Sequence, residues 1–263
     1  MFNLELTITE LQKYGTEMLH EVADICERNN LRWFMAYGSV LGAIRHNGPI
    51  PWDYDIDIYV PECDLNKFLL VMREELSDRY WIDYRQDEKT ARAFPRIGLN
   101  GYETEILHID VFRLGGLPAT PIMLKLFTTY SRLLFVTWKS KTLDIDYYYP
   151  DTKRRIIAKC VRAITSFIPL RIVLKELDSQ ASRIHFDKAI KVASPITTVA
   201  PRVMLDRNLF DESILVDYES FKVRVPKDFE KYLKIEFGDW RKFPPKEERE
   251  KTMHRLYEVR ATK

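Results

Sequence analysis

The stretch YGSVLGAIRHNGPIPWDYDIDIYV, from Tyr37 to Val60, carries the pattern that decides the fold. Acidic and apolar residues alternate from Asp55 to Ile58, which is typical of a strand with two unlike faces. Side chains two residues apart leave a strand on the same side, so Asp55 and Asp57 are predicted to share a face. Two carboxylates placed in this way repel each other unless a cation lies between them.

A third acid has the same setting farther along the chain. Asp110 lies inside an apolar run, Ile109-Asp110-Val111, that is predicted to be a strand. If this strand lies beside the first, the carboxylates of Asp55, Asp57 and Asp110 converge. Oxygen ligands of this kind suit Mg²⁺, and three of them suit a two-metal clamp on a transferring phosphoryl group. A single such Asp would indicate an ordinary strand-edge or salt-bridged acid, whereas the triplet favours a metal site for Mg²⁺ or Mn²⁺.

Gly38 and Ser39 are predicted to end an aromatic-rich strand, Arg32 to Tyr37, and to open a helical turn. Glycine lets the backbone approach a ligand closely. A serine at a helix N-terminus can offer its hydroxyl and its N–H to a phosphate. The pair alone indicates only a turn, and its value as a phosphate-binding candidate depends on the acids that follow it.

The remaining elements alternate in type along the chain. Helices are predicted at 7–29, where Thr7 and Glu10 form a capping box, and at 64–76, 229–237 and 246–260; strands are predicted at 80–84, 91–99, 105–112 and 221–225. Gly115-Gly116 is expected to stop the strand that contains Asp110. Helical patterns dominate 121–191. The order indicates an α+β fold.

Several segments together resemble one family. They are Leu41-Gly42-Ala43-Ile44-Arg45, Ile50-Pro51-Trp52-Asp53-Tyr54-Asp55-Ile56-Asp57, His108-Ile109-Asp110-Val111-Phe112, and Phe237-Gly238-Asp239-Trp240 followed by Pro244-Pro245. They resemble the LicD family of the nucleotidyltransferase superfamily, which includes phosphocholine transferases and fukutin-related proteins. Tyr54 stands where that family usually has Asp. Strand alternation turns residue 54 away from the face of Asp55, so the metal site is expected to survive the change.

The resemblance implies a nucleotidyltransferase-like mixed sheet flanked by helices. The catalytic core is expected at 1–116, a mainly helical basic segment at 117–195, and a small C-terminal α/β segment that packs on the core at 196–263. The implied reaction transfers phosphocholine, or a similar substituted phosphate, from a CDP-choline-like donor to a glycan or lipid-linked glycan acceptor. Teichoic-acid and lipopolysaccharide precursors are acceptors of this kind. Asp110 is expected to accept the proton of the acceptor hydroxyl or to orient that hydroxyl.

Further candidates have two interpretations each. Arg45 could clamp a phosphate or pair with Asp53, which is itself a supporting acid or a cap. Trp52 could stack on a base or on choline, or pack under the turn. Arg96 could contact a phosphate or lie on the surface. His108 could act as a metal ligand or general base, or be a hydrogen-bonded structural histidine. Asp239 could close the site or cap a helix.

The bulk composition limits the function classes. The chain has 263 residues and a net charge of +2, which argues against a general nucleic-acid binder. Residues 117–191 hold 14 Lys/Arg against 6 Asp/Glu, so this segment could meet an anionic membrane surface or form a solvated helical face. Three widely spaced cysteines and no basic leader predict a cytoplasmic protein, peripheral to the membrane if the basic segment binds it.

Two other functions stay open at this point. A true nucleotidyltransferase would use a nucleoside triphosphate and release pyrophosphate, and only the donor pocket would distinguish it. A noncatalytic binding protein could retain the fold, although the intact acid triplet argues against this.

Overall fold

The computed structural model describes residues 3–84, 92–103, 106–148, 151–195, 204–253 and 256–261. The chain forms two compact units. The first comprises Met1–Asp83, Pro95–Phe112 and Asn208–Lys263, and the second comprises Tyr84–Phe94 and Arg113–Arg207. The predicted division at residues 116 and 195 stays a prediction.

The first unit combines helices with three sheets. Its strands are β1 (Asn3–Thr7), β2 (Phe34–Met35), β3 (Ile56–Pro61), β4 (Tyr80–Asp83), β5 (Arg96–Leu99), β6 (Tyr102–Glu103), the first part of β7 (His108–Gly116), β10 (Ser213–Tyr218), β11 (Phe221–Pro226) and β12 (Leu256–Ala261). Its helices are α1 (Ile8–Arg28), α2 (Tyr37–His46), α3 (Leu65–Glu75), α8 (Phe229–Phe237) and α9 (Lys246–Met253). This mixture confirms the predicted α+β class.

The central sheet places the predicted acid-bearing strands side by side. Its order is β2-β3-β7-β5-β4, so β3 and β7 are hydrogen-bonded neighbours. Strand β2 is antiparallel to β3, with Met35 opposite Ile58. Strand β5 is antiparallel to β7, with Arg96 opposite Asp110. The apolar residues between the acids, such as Ile58 and Ile109, are fully buried and form the core beneath the sheet.

Helix α1 shows why this part of the chain folds as predicted. The Thr7 hydroxyl accepts a hydrogen bond from the Glu10 N–H, and the Glu10 carboxylate accepts one from the Thr7 N–H at 2.8 Å. This reciprocal cap satisfies two N–H groups that a helix start leaves unpaired. Leu11, Met18 and Val22 recur at helical spacing and are buried. The capping box and the apolar face are therefore both confirmed.

The second unit is mainly helical, as expected for the middle of the chain. It contains α4 (Pro121–Thr142), α5 (Ile145–Tyr148), α6 (Thr152–Ile164), α7 (Leu170–Ser182), β8 (Lys191–Ala193) and β9 (Leu205–Asp206). Helix α4 packs against α6 and α7. None of the described helices combines the length and the apolarity that crossing a bilayer would require.

Two predictions about glycine-containing segments are wrong. Gly38 and Ser39 open α2, which confirms the predicted helical turn, but they do not end the strand expected at 32–37, because β2 is short and the helix begins at Tyr37. Gly115 and Gly116 do not stop β7 but continue it and pair with β8. A Cβ on Gly115 would lie 2.3 Å from the carbonyl oxygen of Ala181, so close packing requires glycine there.

Two predicted boundaries also need correction. The helix expected at 246–260 ends at Met253, and Leu256–Ala261 forms β12 between β1 and β6. The alternation of apolar and charged residues in LYEVRA suits pairing with β1, where Val259 lies opposite Leu4. The strand expected at 91–99 is shorter, since β5 begins at Arg96, and residue 91 lies outside the described residues.

Candidate active site

The acids of the predicted triplet lie on neighbouring strands of the central sheet. Asp57 is the second residue of β3, Asp55 immediately precedes that strand, and Asp110 is the third residue of β7. Since β3 and β7 are hydrogen-bonded to each other, the three carboxylates belong to one region of the sheet. Their charges affect one another, because Asp110 and Asp55 both raise the pKa of Asp57.

The backbone of Asp57 is held by the start of α2. The Asp57 carbonyl accepts a hydrogen bond from the Ala36 N–H at 2.9 Å, and its N–H donates to the Ser39 hydroxyl at 2.9 Å. The Ser39 N–H donates to the Ala36 carbonyl. Ser39 was expected to offer both groups to a phosphate. In this structure its N–H donates to the Ala36 carbonyl, and its hydroxyl oxygen holds the start of the strand that bears Asp57.

Asp110 has cationic and histidine partners. The Arg96 Nε donates to Asp110 Oδ1 at 2.7 Å, and His108 Nε2 lies 3.1 Å from the same oxygen. Arg96 faces Asp110 across β5 and β7, so the two side chains lie on one face of the sheet. Arg96 therefore lies beside the acids and is largely buried, rather than on the open surface.

The pKa values of the acids differ because their partners differ. Burial raises the pKa of Asp57 well above its usual range, and the charges of Asp110 and Asp55 raise it further. Asp55 is open to solvent on one side, yet burial of the rest of its carboxyl, with the charges of Asp53 and Asp110, raises its pKa to about 7. Burial also disfavours the charged form of Asp110, but the contacts with His108 and Arg96 outweigh this and hold its pKa below the usual range.

Asp53 is a fourth acid beside the triplet. Burial raises its pKa, while the backbone N–H groups of Asp55 and Tyr54 donate to its carboxylate and lower it. One of its oxygens would lie 3.2 Å from a Cβ placed on Gly38. Gly38 therefore gives room to this carboxylate. The structure confirms Asp53 as a neighbour of the triplet and shows no ion pair between Asp53 and Arg45 in the described residues.

The donor chemistry of this cluster fits a hard divalent cation. Carboxylate oxygens are the preferred ligands of Mg²⁺ and Mn²⁺. Within the described residues, the oxygens of Asp55, Asp57 and Asp110 do not all lie within 4.8 Å of one another. Such separation is expected of like charges, and a cation would draw them closer. Burial is the main cause of the raised pKa values of Asp55 and Asp57, and the charges of the neighbouring acids add to it, so a cation beside them would favour their ionised forms.

Arg45 and Trp52 belong to a separate aromatic and basic cluster. The Arg45 guanidinium lies 4.6 Å from the Phe243 ring centroid and 5.8 Å from that of Trp52, and its Nη1 donates to the Trp240 carbonyl at 2.8 Å. The Arg249 guanidinium also lies over both rings, 5.3 Å from the centroid of Trp52 and 5.6 Å from that of Phe243. Burial and the charge of Arg249 both lower the pKa of Arg45. Two guanidinium groups that repel each other would be stabilised by an anion.

Comparison with known proteins identifies the region that carries the acids. The family model described as LicD/FKTN/FKRP, nucleotidyltransferase domain, matches residues 30–142. A lipopolysaccharide cholinephosphotransferase LicD of Haemophilus influenzae is 23% identical over 93% of this chain and 95% of its own length. The chain carries a LicD-family domain. Uncharacterized proteins of Rickettsia prowazekii and Rickettsia typhi are 36% and 33% identical over 18% of this chain.

The LicD-family match covers part of the predicted site. Its range, 30–142, includes all three acids, Gly38, Ser39, Arg45, Trp52, Asp53 and Arg96. Asp239 lies outside it. Asp239 is exposed after α8, where its carbonyl accepts from the Lys242 N–H, and no described contact links it to the acids. The following residue, Trp240, is buried and bonds to Arg45 through its carbonyl.

Three residues support the LicD-family site without having been predicted to do so. Gln12 Nε2 donates to the carbonyls of Ile50 and Asp53, at 2.8 Å and 2.6 Å, and thereby ties α1 to the loop before β3. Tyr232 Oη accepts from the Tyr37 N–H at 2.8 Å, where Tyr37 starts α2 with a φ of 44°. Arg249 joins the aromatic cluster. No local pattern marks these residues, because each acts on a segment distant in sequence.

Proposed function

We propose that this chain transfers phosphocholine, or a similar substituted phosphate, from a CDP-linked donor to a hydroxyl of a cell-surface glycan. A lipopolysaccharide or teichoic-acid precursor is the proposed class of acceptor. The LicD-family domain supports this, as does the similarity over nearly the whole chain to a lipopolysaccharide cholinephosphotransferase. The single observation that carries the proposal is the cluster of interacting carboxylates on β3 and β7, since it suits the metal ions that such a transfer uses.

Asp55, Asp57 and Asp110 are the proposed ligands of Mg²⁺ or Mn²⁺. Their oxygens are the right donors, and the charges of Asp110 and Asp53 raise the pKa of Asp55 in addition to burial. A bound divalent ion would neutralise the donor diphosphate and stabilise the leaving nucleotide. Arg96 offsets part of the negative charge, and Ser39 fixes the strand that presents Asp57.

Asp110 is suited to orienting the acceptor hydroxyl. Its Oδ1 is engaged by Arg96 and His108, and Oδ2 is the oxygen proposed to accept from the acceptor hydroxyl. The lowered pKa of Asp110 makes this carboxylate a weak base. Asp110 is therefore better suited to orienting the acceptor hydroxyl than to removing the proton of that hydroxyl. His108 and Arg96 hold the carboxylate in place for this role.

Arg45 and Arg249 are the proposed contacts for the donor phosphates. Both guanidinium groups lie over Trp52 and Phe243, and they are close enough that the charge of Arg249 lowers the pKa of Arg45. A phosphate between them would remove this repulsion and add charge-assisted hydrogen bonds. Trp52 then positions the two arginines. A quaternary ammonium on its ring would compete with them, so the choline group is expected to bind elsewhere.

Binding measurements test the donor assignment. Isothermal titration with Mg²⁺ or Mn²⁺ present would compare cytidine diphosphate choline with cytidine triphosphate. We expect metal-dependent binding of the choline nucleotide that Asp57→Asn abolishes. Asp239→Asn, an exposed acid outside the cluster, serves as the matched control and should leave binding unchanged. Tight binding of the triphosphate alone would favour nucleotidyl transfer, and binding of neither would overturn the proposal.

A further inference from the structure

Helix α6 is amphipathic with its apolar side turned outward. At 3.6 residues per turn, Ile156, Cys160, Ile164 and Ile157 fall within an arc of about 100°. The relative exposures of Ile156 and Ile164 are 56% and 70%, whereas Ala158 on the opposite side is 3% exposed. Soluble proteins normally bury the apolar side of such a helix. The arrangement here leaves a row of isoleucines facing solvent.

The polar side of α6 makes contacts within its own unit. Arg162 Nε donates to the Ser140 carbonyl, and its Nη2 donates to the Leu143 carbonyl at 2.7 Å. Lys159 pairs with Asp146 at 2.7 Å. These contacts fix the rotation of the helix, so the outward position of the isoleucines is a consequence of specific bonds.

The apolar surface extends beyond α6. Phe167, three residues after the helix, is 79% exposed. Helix α4 also exposes Ile122, Leu126 and Leu133, which lie along one side of that helix. We call the exposed residues Ile156, Ile157, Ile164 and Phe167 the apolar ridge. Exposed apolar side chains grouped on one side of a helix in this way mark an interaction site with a protein or a membrane.

The net charge of the segment that carries the ridge distinguishes a protein partner from a membrane. Residues 151–175, which contain the ridge, hold 7 Lys/Arg against 1 Asp/Glu. A second copy of this chain would bring the same positive charge against itself, which costs free energy. An anionic lipid surface offers both the negative headgroups and the apolar layer below them.

We propose that the second unit docks on an anionic lipid surface through the apolar ridge of α6 and Phe167. The isoleucines and Phe167 enter the boundary between headgroups and acyl chains, while Lys153 and Arg154 remain at the level of the headgroups. This inference rests on the second unit alone and does not depend on the proposed transfer reaction.

Vesicle binding by the full chain tests the proposal. Sedimentation with vesicles of phosphatidylcholine alone is compared with vesicles that also contain phosphatidylglycerol. We expect binding only to the anionic vesicles, weakened by salt. The double variant Ile156→Asp, Ile157→Asp should partition roughly tenfold more weakly or worse, because two apolar contacts are lost and two negative charges are added. The control Leu70→Asp, a leucine on α3 that is also 56% exposed, should bind as the unchanged protein does.

A probe on Cys160 reports whether the ridge itself enters the lipid. Cys160 is exposed within the ridge, Cys26 is buried, and the other exposed cysteine can be removed as Cys63→Ser. An environment-sensitive dye on Cys160 should shift to the blue when anionic vesicles are added. Vesicle binding without this shift would overturn the proposal. So would a dimer in sedimentation velocity that the double Asp variant dissociates, in the absence of vesicle binding, because the ridge would then bind a second copy.

Discussion

Replacing Asp55 by Asn is expected to stabilise the metal-free protein although it removes a proposed metal ligand. Burial and the charges of Asp53 and Asp110 raise the pKa of Asp55 from 3.8 to about 7. The folded state therefore holds a proton that the unfolded state releases. Wild-type stability falls as the pH rises from about 4 to about 7 and is constant above that range. The neutral Asn side chain avoids this loss.

The size of the effect follows from the shift. A change from 3.8 to about 7 corresponds to about 4 kcal/mol at pH 8 if it is converted in full. Because Asp55 is exposed and solvent screens its charge, we expect only about 1–2 kcal/mol. For a chain of this size, such a gain raises the unfolding temperature by roughly 3–6 °C. The gain should shrink towards pH 4 and disappear below the unfolded pKa of 3.8, where both states are protonated.

Thermal unfolding between pH 4 and pH 8 in a chelator measures this effect. Addition of Mg²⁺ should make the wild type more stable than Asp55→Asn. Binding of the ion to the folded state stabilises the wild type by about 2.7 kcal/mol when the Mg²⁺ concentration is one hundred times the Kd. Asp110→Asn is the matched comparison. It removes the partner of Arg96 and should destabilise the metal-free protein by about 1–3 kcal/mol. If Asp55→Asn were less stable than the wild type in chelator at pH 8, the inference that burial and the neighbouring acids destabilise the charged Asp55 carboxylate would be refuted.

Three other substitutions probe the supports of the site. Gln12→Ala should lower the unfolding free energy by about 1–2 kcal/mol in a urea titration and weaken metal binding, since the loop before β3 loses two hydrogen bonds. Tyr232→Phe removes the acceptor for the Tyr37 N–H and should cost about 1–3 kcal/mol by the same titration. Arg249→Met should weaken donor binding roughly tenfold by isothermal titration without changing metal affinity, whereas Arg241→Met, at an exposed arginine, should change neither. Equal loss in the two arginine variants would contradict the phosphate role.

Short sequence patterns predict the elements whose ends and faces are set by residues close to one another in the chain. The Thr7–Glu10 capping box fixes the start of α1, and acid–apolar alternation fixes β3. Strand β12 was missed because its charged residues match a helical surface, and only pairing with β1 makes it a strand. Gly115 was predicted to end the strand. Glycine is needed there because the Ala181 carbonyl leaves no room for a side chain, and Ala181 is too distant in sequence for a local pattern to show this.

The acids of the site were predictable, while their partners were not. A spacing of two residues across the start of β3 places Asp55 and Asp57 together, and the sheet order adds Asp110. The position of Arg96 depends on the register between β5 and β7, which the sequence does not state. Of the two interpretations of Arg45, a phosphate clamp and a pair with Asp53, the pair is not formed within the part of the chain that the structure describes, and Arg45 lies against Phe243 and Trp240 from the C-terminal part of the chain.

The most direct measurement of the central claim is transfer from cytidine diphosphate choline labelled in either the choline or the cytidine, with Mg²⁺ and a glycan acceptor. Phosphocholine transfer predicts that the choline label alone enters the acceptor, that chelator stops the reaction, and that Asp57→Asn abolishes it. Entry of the cytidine label, or transfer that survives both chelator and Asp57→Asn, would contradict a metal-dependent transfer of a substituted phosphate.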